Sequence, residues 1–83
     1  MQCFVYKSLR KADTYVYLRE AEGFDVLPAA IAESLGNLGF VIEIELSPQR
    51  KLARENVEVV IGNLDRQGYH LQWPPATDTG QVD

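Results

Sequence analysis

Four places in the chain hold side chains whose types and spacing could do chemistry. The stretch "YKSLRKADTYVYL" sets Lys7, Arg10 and Lys11 between two aromatic, β-branched runs, and Arg50, Lys51 and Arg54 form a second cluster. Together they hold most of the cations in a chain of net charge −4. Arginine forks onto phosphate while lysine offers a point charge, so either cluster is a candidate contact for an anion, RNA or an acidic protein partner. His70 is the only histidine. A catalytic imidazole needs a carboxylate or nucleophile in hydrogen-bond reach, and Glu43 or Glu45 could supply one if their strand neighbours that of His70. Nothing else completes a triad, so a solvated strand histidine is expected, with no catalytic residue assigned. Tyr6, Tyr15 and Tyr17 could stack unpaired bases, as aromatic sheet faces do in RNA-binding domains. A cluster of that size is costly to leave wet, so core is the preferred reading.

Other chemistries are excluded by pattern. Cys3 is the sole cysteine, so there is no internal disulfide and no Cys-rich metal site; it reads as a small buried hydrophobe. No glycines fall in a phosphate-loop or dinucleotide-binding spacing, so no cofactor is expected. The acidic balance does not favour a dedicated nucleic-acid binder. No signal peptide or membrane-spanning run is visible, and a cytoplasmic protein is expected.

The elements that must position these residues follow from periodicity. Hydrophobic residues at 46% and charged residues at 24% suit one small globular domain of the 83 residues. Residues 2–7 and 14–19 read as a hairpin closed by "SLRKAD". Pairing Tyr6 with Tyr15 and Phe4 with Tyr17 would gather four rings on one face, and Cys3, Val5, Val16 and Leu18 on the other. A helix from Pro28 to Leu35 is capped by Gly36. In "GFVIEIELS", Phe40, Ile42, Ile44 and Leu46 alternate with Glu43 and Glu45, which predicts a half-buried strand. Ser47-Pro48 starts a helix running to Gln67, with an interruption near Asn56 and Gly68 as its cap. The Ser47-Pro48 helix start, with Arg50 and Lys51 nearby, would suit a small anion. "YHLQW" is the last strand, with Tyr69, Leu71 and Trp73 opposite His70 and Gln72. Pro74-Pro75 ends it, and 76–83 is expected to be a disordered polar tail.

The order ββαβαβ predicts an α/β domain over residues 1–75 with a mixed sheet of about four strands. If each helix returns the chain to its starting end, the last three strands are parallel and the two basic clusters lie at opposite ends of the sheet. A crossover that did not return would let them converge.

Three stretches, "CFVYKSLRKADTYVYL", "RKLARENV" and "QGYHLQWPP", resemble the YcgL family of small bacterial proteins over Cys3 to Pro75. His70 and Trp73 stand where that family's pattern carries Tyr and Leu. The resemblance implies an α/β/α sandwich and brings no established activity or site residues. A small binding or adaptor domain, meeting RNA or a protein through a basic edge, is the leading expectation. An enzyme or accessory factor around His70, Glu43 and Glu45, and a purely structural interaction protein, are the alternatives.

Overall fold

A computed structural model describes residues 1–52 and 55–74. Four strands, β1 (Gln2–Ser8), β2 (Tyr15–Leu18), β3 (Leu38–Glu45) and β4 (Tyr69–Gln72), form one sheet in the order β3-β1-β2-β4. Helix α1 (Ala29–Leu35) links β2 to β3, and α2 (Val57–Gln67) links β3 to β4. A single 3₁₀ turn at Phe24–Val26 precedes α1. The α/β class and the element order agree with the sequence reading.

Each face of the sheet carries its own core. Val57, Val60 and Leu64 of α2 cover Cys3, Val5, Tyr17 and Leu46. On the other side Leu27, just ahead of α1, joins Tyr6, Val16 and Leu18. Every adjacent strand pair is antiparallel, which corrects the expected mixed sheet. The reason lies between β3 and α2. The described residues of 46–56 are turns and irregular chain rather than helix. This extra length ahead of α2 lets the connection leave β3 and enter β4 at the same end of the sheet, so β4 runs opposite to β2.

The helix expected from Ser47 therefore begins only at Val57. Asn56 caps it, its side-chain oxygen accepting from the Glu58 and Val59 amides at 2.8 and 3.4 Å. Such a cap satisfies N–H groups that an upstream turn would otherwise bond. Gly68, at φ 90°, closes the far end as the sequence predicts.

Two registers differ from the sequence reading by one residue. The hairpin pairs Lys7 with Tyr15, Tyr6 with Val16, Val5 with Tyr17 and Phe4 with Leu18. Ser8 belongs to the strand, because its amide bonds the Thr14 carbonyl at 2.9 Å and its hydroxyl accepts from the Lys11 amide at 2.9 Å. The shorter loop slips the pairing by one, and a one-residue slip exchanges faces. The four rings are thus divided: Phe4 and Tyr6 face α1, and Tyr15 and Tyr17 face α2.

In β3, Val5 pairs with Ile42 but Tyr6 pairs with Phe40, leaving Val41 as a bulge. The extra residue separates Phe40 from Ile42 and Ile44. Leu38 and Phe40 lie on the α1 face with Glu43 and Glu45, whose β1 partners Phe4 and Gln2 share it, while Ile44 packs with Leu46 under α2.

Candidate functional site

Ser8 is where the first basic cluster is built. Its hydroxyl donates to the Leu35 carbonyl at 2.6 Å and accepts from the Arg10 amide at 3.2 Å, tying the hairpin tip to the end of α1. The Arg10 guanidinium donates to the Glu33 carbonyl at 2.8 Å. That is a cation on the orphan carbonyls of a helix C-terminus, a stabilising placement. A Cβ at Gly36 would come within 3.0 Å of this guanidinium, and φ 67° there also favours glycine. Arg10 is thus engaged within the fold, while Lys7 and Lys11 are exposed.

The second cluster stands apart from these partners. Arg50 and Lys51 line an open cavity of about 450 Å³ together with Glu55 and Glu58, so the charge there is mixed. Arg54 lies outside the described residues, as do Pro75 and the tail 76–83.

His70 is buried, not solvated, because α2 covers its face of β4. Glu43 and Glu45 cannot reach it. They sit on the opposite face, on the strand at the other edge of the sheet. Glu43 accepts from the Gln2 side chain instead, and Glu45 from the Met1 amino group. The carboxylate that meets His70 is Glu55, whose Oε1 is 2.6 Å from Nε2. The other ring nitrogen, Nδ1, is 2.9 Å from the Asn63 Nδ2. Because the Asn63 oxygen accepts from Arg66, its NH₂ faces the imidazole. Nδ1 therefore accepts, and the proton sits on Nε2, directed at Glu55.

The His70 ring meets Tyr17 edge-on, with centroids 5.7 Å apart. The Tyr17 hydroxyl donates to the Gln72 Oε1 at 2.7 Å, and both residues are buried. Burial, with the Glu55 charge adding to it, raises the Tyr17 hydroxyl above its ordinary range. This network holds α2 and its approach against β2 and β4. Both ring nitrogens are engaged, which leaves no free imidazole atom for a substrate. Sequence reasoning missed Glu55, since only the tertiary path of 46–56 brings it to β4.

Cys3 is fully buried, and burial pushes its thiol up to about 12, which keeps it protonated and inert near neutral pH. Among the described residues, no three His, Cys, Asp or Glu side chains gather as metal ligands, and no helix is long and apolar enough to cross a membrane.

Among the described residues, β3 carries the longest run of exposed large apolar side chains. It is one of the sheet's two edges, and Phe40, Val41 and Ile42 are 58, 44 and 50% exposed. Beside it on the α1 face lies a cavity of about 380 Å³, lined by Phe24, Leu27, Ala32 and Leu38. The Tyr6 ring joins the two, meeting Phe24 and Phe40 edge-on at 5.0 and 5.5 Å.

Such a molecule is a small two-faced α/β domain whose polar centre is mostly buried, with Glu55 reaching the open cavity, and whose apolar sheet edge is open among the described residues. The YcgL domain model matches residues 3–75, and the chain belongs to that family. It is 46% identical over 78 residues to a YcgL domain-containing protein of Thioalkalivibrio sulfidiphilus, covering 94% of this chain and 96% of that one. It is 47% identical over 76 residues to one from Pseudomonas putida and 41% identical to one from Pseudomonas fluorescens, each covering 92% of this chain and 78% of the relative.

Proposed function

We propose that this domain is a protein-binding module that engages its partner along the outer edge of β3. The observation that carries the reading is the run Phe40-Val41-Ile42, three consecutive large apolar residues exposed along a strand whose outer edge has no partner among the described residues. Edge strands are ordinarily covered or heavily charged, because an open apolar edge invites pairing. Exposed apolar patches of this kind mark interaction sites.

The basic clusters support an RNA-binding reading less well. Arg10 is held by a helix carbonyl, and Arg50 and Lys51 share their cavity with two glutamates. Of the candidate contacts that are described, Lys7, Arg10, Lys11, Arg50 and Lys51 are better regarded as solvated or structural charges. An enzymatic reading has less to rest on, since His70 is buried with both ring nitrogens engaged and only its partner Glu55 reaches an open cavity.

The test is affinity capture with wild type and a Phe40→Ser/Ile42→Ser variant, at low and high salt, with proteins and RNA both identified. Protein partners that survive nuclease treatment and are lost with the variant are expected. Partners unaffected by the variant, or retained only through RNA, would overturn the reading.

A further inference from the structure

Resting on β3 as the docking edge, the backbone phase of that strand specifies what kind of segment it takes. The Leu46 amide bonds the Met1 carbonyl at 2.7 Å, and the Leu9 amide bonds the Asn37 carbonyl at 2.9 Å. In an antiparallel ladder, alternate residues bond the neighbouring strand and those between point their N–H and C=O groups the other way. Counting inward from both ends, Ile44, Ile42 and Gly39 bond β1. Leu38, Phe40, Glu43 and Glu45 direct their backbone groups outward.

The Val41 bulge has a particular effect on this row. Without it, the outward positions could not include both Phe40 and Glu43. With it, all four outward residues carry their side chains on the α1 face, opposite Ser8, Tyr6, Phe4 and Gln2 of β1. A strand added to this edge therefore meets two apolar residues followed by two acidic ones. Tyr6 and Phe4 are two apart while facing Phe40 and Glu43, so a regular strand spans the bulge as β1 does.

We infer that the β3 edge binds an extended segment of a different protein as a fifth, antiparallel strand, with two alternate basic residues followed by two alternate apolar ones on the α1 face. The basic side chains lie opposite Glu45 and Glu43. The apolar ones lie opposite Phe40 and Leu38, beside the cavity lined by Phe24, Leu27 and Ala32. Main-chain bonds hold such a segment and the alternate side chains select it. A second copy of this chain fits poorly. Antiparallel self-pairing across the bulge sets Phe40 against Glu43 and Leu38 against Glu45, and parallel self-pairing sets acid against acid.

The probe is the blocked octapeptide Lys-Thr-Lys-Thr-Val-Thr-Leu-Thr, titrated into the labelled full chain and followed by amide NMR shifts. Saturable shifts concentrated at residues 38–45 are expected. A peptide with Glu in place of both Lys should bind at least about fourfold more weakly, since each opposed charge pair changes sign. The Glu43→Lys/Glu45→Lys variant should reverse that preference, which a nonspecific apolar contact would not do. No shifts at 38–45 at millimolar peptide, equal shifts with the acidic peptide, or concentration-dependent dimers through β3 would each overturn the inference. If the capture experiment still loses partners with the Phe40/Ile42 variant, β3 stands as the docking edge and only this partner chemistry fails.

Discussion

Removing one hydroxyl at the buried polar centre tests whether that network stabilises the fold. Tyr17→Phe keeps the ring, its contact with His70 and its place under α2. It deletes the bond to the Gln72 Oε1 at 2.7 Å, and Gln72 is only 9% exposed. A buried acceptor left without its partner costs about 1–3 kcal/mol. In a domain of this size each kcal/mol lowers Tm by about 4–8 °C, so the variant should melt about 4–24 °C below wild type. Gln72→Leu alone leaves the tyrosine hydroxyl stranded and should cost a similar amount. The double variant removes both polar groups and should be more stable than the sum of the singles by about 1 kcal/mol or more. Urea denaturation of the four proteins at neutral pH, with the slope m checked for constancy, measures the cycle. A Tyr17→Phe loss under about 0.5 kcal/mol, or strict additivity, would refute the reasoning and show that solvent reaches Gln72.

Gly62 lies within α2 with nothing inside 4 Å of an added Cβ, so Gly62→Ala should stabilise by about 0.5–1 kcal/mol in the same assay. Ser8→Ala strands the Leu35 carbonyl and two loop amides, and a loss of about 1–3 kcal/mol is expected in thermal melts. Cys3 and Tyr17 both ionise less readily folded than unfolded. Above pH 9.0 the unfolded chain therefore binds fewer protons, and stability should fall as pH rises toward about 12; below that window neither group contributes a slope. Cys3→Ala should flatten the first part of this decline, as seen in urea midpoints from pH 8 to 10. Deleting Val41 removes the bulge without exchanging any face, so the chain should still fold, with the β1–β3 pairing kept in amide NMR spectra.

What could be read in advance was whatever depends on neighbours in sequence. Pro28 and Gly36 frame α1, Gly68 closes α2, and the β-branched runs give four strands, whereas Asn56 reads in the sequence as an interruption and not as the start of α2. What could not be read depends on single-residue register and on strand order. Alternation in "FVIEIEL" is regular, yet the Val41 bulge puts Phe40 on the glutamates' side. The hairpin slipped because the Ser8 hydroxyl, silent in any periodicity, draws Ser8 into the strand. Glu43 and Glu45 were natural partners for His70 only if β3 and β4 adjoin. β1 and β2 lie between them, and the chain brings Glu55 instead. For the basic residues the legible part was their clustering. That Arg10 closes a helix end needed the fold.

The Tyr17–Gln72 and His70–Asn63–Glu55 contacts have a consequence for how the sheet is assembled. Strands β2 and β4 are four residues each, and β4 is the last described element to be synthesised. Alternation alone rejects an odd slip between them, because Tyr69 and Leu71 would change faces. It has no objection to a slip of two, which keeps every apolar residue on its side. Such a slip carries His70 away from Glu55 and Asn63 and parts Gln72 from the Tyr17 hydroxyl, leaving buried polar groups unmatched under α2. The polar centre thus detects the one alignment error that hydrophobic patterning passes, and a short terminal strand has a single place to dock.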